Sequence, residues 1–322
     1  MKKIVTAVLL VCFSLSALAQ FGILKDKVLN GNNSISKIFK KPAPITTNFK
    51  DDVKMEGSLP ATYGNDKKYV PLYKMKQTEE GAFILCPGYY EMINMSYCLQ
   101  AGTHGPSNGD GYMYAPTAGK MHDIVNAILL KHATKHQEIS QHDVQVLLWA
   151  IIARAKFKNL SGRLKVVAAL LLTPEEIVKL NGGVAQTLGG EAIKKGIVNL
   201  PAPIQSVMEA ENNIRLLVEQ GSDSYEDFER YAMLAGIAPD NNSEVVRGMW
   251  SLHPDGYYVR YFPEGYSRTR VQLWVPDTKG QIIYNAIGTI ACPASTGAQR
   301  LAQTNIPLEK PSVEYVDPCG GK

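Results

Sequence analysis

The sequence predicts an α+β protein in which a central helical bundle segment is flanked by N-terminal and C-terminal β segments. Two observations support this fold class. Apolar residues recur at helical spacing through about residues 121–236, and segments rich in Tyr, Ile and Val lie before and after that region. Strands that are separated by helices in the chain can still pair, so the two β parts can meet in one sheet.

Four regions follow from the distribution of leader, turn and apolar residues. We expect a signal peptide at residues 1–19, an extended polar arm at 20–80, a main globular domain at 81–302 and a flexible tail at 303–322. The arm is interrupted by four prolines: Pro42, Pro44, Pro60 and Pro71.

The first 19 residues have the three parts of a secretory signal. Lys2 and Lys3 precede an apolar stretch at residues 4–15, and Ala17-Leu18-Ala19 forms a small-x-small cleavage site. The short Lys-Lys leader and Gln20 resemble exported proteins of Bacteroidota-type bacteria. We therefore expect a periplasmic, outer-membrane-associated or extracellular protein. No later apolar run reaches the roughly 20 residues that span a bilayer, so membrane contact is expected to be peripheral at most.

Composition excludes two broad classes. The 322 residues are 45% hydrophobic and 20% charged, which is typical of a globular chain. The formal net charge is only +4, without a concentrated basic face, so a nucleic-acid partner is not expected.

Local signals place the main helices. One is expected at residues 121–136, and Ser140 with Asp143 begins a second that is apolar nearly all round and therefore central. Thr173-Pro174-Glu175-Glu176 has the form of a capping box with Pro in the first turn. Further helices are expected at about 203–220 and 225–235.

The period changes after Trp250. Residues 257–262 and 268–275 alternate and are joined by a short turn segment, which predicts a β-hairpin; a third strand within 281–287 extends it to about residue 288.

Four cysteines follow the leader: Cys86, Cys98, Cys292 and Cys319. In an exported protein they suggest two disulfides, for which three connectivities are possible. Pairing Cys86 with Cys98, and Cys292 with Cys319, would close short loops.

Two short motifs offer a different role for Cys98. Tyr97-Cys98-Leu99-Gln100 and the segment from Gln145 to Trp149, within residues 97–152, resemble the paired motifs of bacterial surface thioester domains. The resemblance implies that Cys98 is the thiol and Gln145 the acyl donor of an internal thioester, with Trp149 covering the bond. An acyl group on sulfur is an activated electrophile that a partner's amine can attack. The plainer alternative for Gln145 is a buried amide that is hydrogen-bonded to backbone, and for Trp149 an ordinary core residue.

The predicted hairpin is also rich in aromatic and arginine side chains, a composition that is common at interfaces. We consider these residues as candidates for binding a protein or glycan of the cell envelope or surface, with the alternative that half of them fill the inner face of a sheet. They are Tyr258, Arg260, Tyr261, Tyr266, Arg268 and Trp274.

Other chemistry has weaker support. His132 and His136 have the i, i+4 spacing of metal ligands, but no Glu lies between them and no third ligand is evident, so a histidine pair at the core edge is expected. No phosphate loop, dinucleotide-binding glycine motif or nucleophile elbow is present, and no cofactor or metal is expected. A Cys98 hydrolase would need a nearby histidine, for which the sequence offers His104, His122, His142 and His253.

The leading functional prediction is a non-enzymatic exported envelope or cell-surface protein that acts by binding or assembly. The first alternative is a covalent adhesin with a Cys98–Gln145 thioester that captures partner amines. The second is a hydrolase.

Overall fold

The computed structural model describes residues 43–181, 202–239 and 244–309. The predicted signal peptide and the end of the tail lie outside these residues. The helices of the described chain are α1 Phe49–Asp52, α2 His122–Thr134, α3 Gln141–Ile152, α4 Gly162–Leu171, α5 Pro174–Asn181, α6 Ala202–Glu219 and α7 Tyr225–Ala232. The strands are β1 Val70–Pro71, β2 Phe83–Leu85, β3 Gly88–Cys98, β4 Thr103–His104, β5 Tyr112–Pro116, β6 Met233–Leu234, β7 Ser251–Leu252, β8 Tyr258–Pro263, β9 Arg268–Val275, β10 Ile282–Tyr284, β11 Thr289–Pro293 and β12 Leu301–Pro307.

The N-terminal and C-terminal β segments form one sheet, which confirms the α+β prediction. Its strand order is β5-β11-β12-β3-β9-β8-β7, with β1 added beside β3. All neighbouring pairs are antiparallel except β1 with β3. The long strand β3 lies between β12 and β9, so it is flanked by C-terminal strands on both sides, while β5 lies at one edge beside β11.

The two faces of the sheet differ in chemistry. On the inner face Tyr90, Leu273 and Val259 lie in one row across β3, β9 and β8, and each is at most 1% exposed. Helices α3 and α2 pack here, against β3 and β12. The outer face carries aromatic and polar side chains, so the alternation along each strand separates core from surface.

Helix α3 is buried on every side, as its apolar composition predicts. It contacts β3, α4, α6 and α7. Nine of its residues, from Val144 to Ile152, are buried. A side chain on α3 is therefore shielded from water whichever way it points.

The predicted helix starts are confirmed in detail. The Ser140 hydroxyl accepts a hydrogen bond from the Asp143 amide. At α5 the Thr173 amide donates to the Glu176 carboxylate (2.7 Å) while the Glu176 amide donates to the Thr173 hydroxyl (3.3 Å), which is the reciprocal pattern of a capping box.

Three features of the fold differ from the expectations. The β8–β9 hairpin is present, but β10 pairs with β2 and does not extend it. Strand β12 runs to Pro307, so residues 303–307 belong to the sheet and not to a flexible tail. The described part of the arm packs onto the domain, where Leu72 and Met75 are buried. Each difference involves pairing over long sequence distances, for which a local pattern gives no signal.

Candidate functional site

Strand β3 and helix α3 bring the three thioester candidates together in the core. Cys98 is the last residue of β3, and Gln145 and Trp149 lie one turn apart on α3. All three side chains have 0% exposure. The β3–α3 packing thus places the two sequence motifs against each other.

The Gln145 carboxamide is hydrogen-bonded at both ends to the backbone of Cys98. The Cys98 amide donates to Gln145 Oε1 at 2.8 Å, and Gln145 Nε2 donates to the Cys98 carbonyl at 3.0 Å. The plainer alternative, a buried amide satisfied by backbone groups, describes these contacts correctly. They also hold the carboxamide group beside the backbone of the residue whose thiol would attack its carbon.

The Cys98 thiol is protonated at neutral pH. It donates to the Gln100 carbonyl at 3.2 Å and lies 3.4 Å from the Gln100 amide nitrogen. Burial raises the pKa of Cys98 to about 11, against smaller lowering effects from the Gln100 backbone, the Trp149 indole and Arg300. The free thiol is therefore a weak nucleophile in the closed structure.

Trp149 and Arg300 are the nearby groups that favour negative charge on this sulfur. The indole N–H of Trp149 is buried and has no oxygen or nitrogen acceptor in the described ranges, and its interaction with the Cys98 sulfur lowers the pKa of that thiol. Arg300 Nε donates to Gln100 Oε1 at 2.5 Å, and its guanidinium also donates to the Thr47 carbonyl. Each group can stabilise a thiolate that forms as a leaving group.

The expected pair of disulfides is not formed. Cys98 and Cys292 are both free and buried. Cys86 is disulfide-bonded. The expectation of two disulfides among these four cysteines is therefore wrong. A bond between Cys86 and Cys98 is also excluded by geometry, because Cys86 precedes the 11-residue strand β3 and Cys98 ends it, which is much farther than the roughly 7 Å that a disulfide can bridge.

The six partner-binding candidates divide into buried and partly exposed groups. Tyr261 and Arg260 are 1% and 2% exposed, so neither side chain can reach a partner in this conformation. Trp274 is partly exposed and stacks between Tyr258 (4.8 Å between ring centroids) and Tyr89 (5.9 Å). This ladder crosses β8, β9 and β3 on the outer face.

The two remaining candidates have specific intramolecular partners. Arg268 forms ion pairs with Glu264 at 2.7 Å and Glu309 at 3.1 Å. Tyr266 is 9% exposed, and its ring lies 6.0 Å from the Trp149 ring. Its position next to the Cys98 site was not expected from the hairpin sequence.

Arg260 has several partners within the chain on the outer face of the sheet. Its guanidinium donates to Gln272 Oε1 at 2.7 Å, the Ala61 carbonyl at 2.9 Å and the Tyr69 hydroxyl at 3.0 Å. It also lies 4.3 Å from the Trp250 ring centroid. Through Ala61 and Tyr69, these contacts attach the described part of the arm to the sheet.

The histidine pair lies at the core edge, as expected. His132 is buried between the Tyr97 hydroxyl (3.0 Å) and the Ile139 carbonyl (2.9 Å), while His136 pairs with Glu138 at the surface. Across the described ranges no cluster of three potential metal ligands is present. Both hydrogen-bond partners of the Cys98 sulfur are on Gln100, so none of the four histidines considered for a hydrolase bonds to it.

Sequence reasoning missed two further residues near this site, Tyr225 and Glu229 on α7. The Tyr225 ring lies 5.7 Å from that of Trp149, and its hydroxyl donates to Glu229 at 3.1 Å. Their sequence pattern indicates an ordinary amphipathic helix, and only the packing of α7 on α3 brings them to the site.

Comparison with known proteins gives no relative: no family model, no curated protein and no solved structure matches the chain. No helix among the described residues is long and apolar enough to cross a membrane.

Proposed function

We propose that this chain is an exported binding protein that captures a partner covalently, through a thioester between Cys98 and Gln145. The observation that carries the proposal is the pair of hydrogen bonds by which the Cys98 backbone holds the Gln145 carboxamide. Of the functions considered, covalent capture is the one that this geometry supports best, because it gives a role to a thiol and an acyl donor that meet in a core without water.

Thioester formation needs no external reactant. The Cys98 sulfur attacks the carboxamide carbon of Gln145, a C–S bond forms and the C–N bond breaks. The nitrogen leaves as ammonia and takes up the thiol proton. The Cys98 amide already donates to the oxygen on which negative charge develops during the attack, at a distance typical of an oxyanion-hole donor.

Capture reverses the roles of sulfur and nitrogen. A partner's amine attacks the same carbon, an amide bond forms, and the Cys98 sulfur leaves and takes up one proton from the nitrogen. The Trp149 indole N–H and Arg300 are placed to stabilise the departing sulfur. Complete burial of Cys98 and Gln145 limits hydrolysis of the bond before a partner arrives, and capture requires a local opening of the structure that admits the amine.

The aromatic hairpin supports a non-covalent binding role less well. Arg260 and Tyr261 are enclosed, and Arg268 is paired within the chain. A hydrolytic role lacks a histidine bonded to Cys98. The predicted signal peptide is consistent with an exported capture protein, which would meet partner lysines in the envelope or at the cell surface.

Intact mass spectrometry of the purified protein tests the proposal. We expect a mass lower than that of the reduced chain by one ammonia molecule, in addition to the two hydrogens lost at the Cys86 disulfide. Incubation with methylamine should add one methylamine and place the label on Gln145.

Cys98→Ala should abolish both the ammonia loss and the label. Cys292→Ala is the matched control, since it removes another buried free thiol and should leave both signals intact. If the wild-type protein shows only the disulfide hydrogens and takes up no methylamine, the thioester proposal is refuted.

A further inference from the structure

A carboxylate held by two tyrosine hydroxyls lies beside the Cys98 site. Glu229 Oε1 accepts hydrogen bonds from the Tyr266 hydroxyl at 2.5 Å and from the Tyr225 hydroxyl at 3.1 Å. Tyr225 belongs to the same helix as Glu229, whereas Tyr266 comes from the β8–β9 turn. The cluster therefore joins two separate elements at one carboxylate.

The same two tyrosines form the outer wall of the thioester candidates. Their rings lie 5.7 Å and 6.0 Å from the Trp149 ring, which is completely buried. Tyr266 is also tied to β3, because the Ser96 hydroxyl donates to its carbonyl at 3.0 Å, two residues before Cys98. The pKa of Tyr266 is raised, first by burial and then by the nearby Cys98 thiol.

The outer side of this wall is accessible to solvent. His142 is exposed and stacks on Tyr225, with ring centroids 3.7 Å apart, and Glu229 is partly exposed. A ligand that approaches Trp149 from this side meets Tyr225, Glu229 and Tyr266 first.

Glu229 has hydroxyl partners but forms no salt bridge within the described parts of the chain. Burial raises its pKa; His142 opposes this effect and Glu226 adds to it. The titratable groups that face it are Tyr225, Tyr266, His142 and Glu226. A carboxylate in this setting is stabilised by an incoming cation. Its partial burial also increases its affinity for protons.

We propose that Glu229 receives the cationic amine of the partner and removes its extra proton before the attack on Gln145. This inference rests on the proposed thioester. An ammonium group transfers one proton to the Glu229 carboxylate, directly or through the Tyr266 hydroxyl. The neutral amine then forms the new C–N bond, the C–S bond breaks, and the departing Cys98 sulfur takes the second proton. Glu229 returns its proton to water.

The test compares two small amines that differ in charge. Methylamine is almost entirely protonated at neutral pH, whereas hydroxylamine is mostly neutral and needs no base. Glu229→Gln should slow labelling by methylamine about a hundredfold, a usual contribution of a proton acceptor, and leave labelling by hydroxylamine within about twofold. Glu229→Asp should restore part of the methylamine rate, and Tyr266→Phe should reduce it less than Glu229→Gln does.

Glu226→Gln is the matched control because it removes an exposed carboxylate on the same helix, and it should behave as wild type. Raising the pH should reduce the methylamine defect of Glu229→Gln, since solution then supplies neutral amine; a purely structural defect would slow both amines at every pH.

The ammonia loss in intact mass separates the two proposals. If wild-type protein shows no ammonia loss, the thioester itself fails. If wild type forms the thioester but Glu229→Gln reacts normally with methylamine, slows both amines equally or no longer forms the bond, the role of Glu229 is refuted while the thioester stands.

Discussion

Gln145 and Cys98 lie 47 positions apart in the sequence, yet two hydrogen bonds join the carboxamide of one to the backbone of the other in a site that excludes water. An unsatisfied polar group in such a place costs about 1–3 kcal/mol. In the unreacted protein the pair therefore contributes to stability, whereas thioester formation removes the bond from Gln145 Nε2 because that nitrogen leaves as ammonia.

Replacement of Gln145 by Leu should expose this contribution. Made in the Cys98→Ala background, where no thioester can form, the change introduces an apolar side chain of similar size and leaves the backbone amide and carbonyl at position 98 without partners, so we expect a loss of about 2–4 kcal/mol in the free energy of unfolding. Urea unfolding followed by tryptophan fluorescence measures it. Gln77→Leu is the control, because Gln77 is exposed, and its effect should stay within about 0.5 kcal/mol. Equal losses in both variants would contradict the assignment.

A second prediction concerns the attachment of the arm by Arg260. Arg260→Leu removes the donors for Ala61, Tyr69 and Gln272 in a site that is 2% exposed. We expect a loss of about 3–5 kcal/mol and faster amide hydrogen exchange in residues 61–69.

The neighbouring cation Arg268 provides the comparison. It lies on the same hairpin with two exposed ion pairs, and Arg268→Ala should cost at most about 1 kcal/mol without a change in exchange at residues 61–69. Unchanged exchange in Arg260→Leu would show that other contacts hold the arm.

The contrast between these two arginines shows how far the sequence could predict the structure. Cap residues such as Ser140 and Thr173 act within one turn, so their signals were sufficient to place helix starts. Arg260 and Arg268 have similar sequence surroundings, and only the folding of the arm over the sheet makes one of them internal.

The same limit applies to the candidate site. The two motifs were sufficient to nominate Cys98, Gln145 and Trp149, which the fold brings together. Glu229 and Tyr266 lie on other elements, and no spacing rule links them to Cys98. Strand β3 gives a weak sequence signal, since Asn94 and Ser96 interrupt its apolar pattern but are buried with partners from β12 and β9.

A third prediction follows from the neutral state of His132. Burial lowers its pKa below the usual value of about 6.5 in the unfolded chain. Between these two pKa values the unfolded chain binds more protons, so stability should fall as the pH drops below about 6.5 and level off below the folded-state pKa. The burial of His253 lowers its pKa too and adds to the same trend.

His132→Gln should remove part of this pH dependence, with unfolding measured in urea at pH 7.5, 6.0 and 5.0. His253→Gln should remove a separate part of the pH dependence. The His253 ring packs on Tyr257 whereas the His132 ring packs on Tyr97, so the two histidines have different surroundings. If His132→Gln keeps the full wild-type slope, His132 is not neutral in the folded state.

The last prediction compares the alkylation of the two buried cysteines, Cys98 and Cys292. Burial raises the pKa of Cys98 to about 11 and that of Cys292 to about 12, so neither should react with iodoacetamide at pH 8 in the folded protein. When the protein is unfolded in urea and alkylated at once at about pH 8, where unfolded thiols are partly ionised, peptide mass spectrometry should find Cys292 fully alkylated. Cys98 should be alkylated only after the folded protein has been treated with methylamine, because the thioester otherwise occupies its sulfur. Equal alkylation of both residues before treatment would mean that Cys98 carries a free thiol and no acyl group.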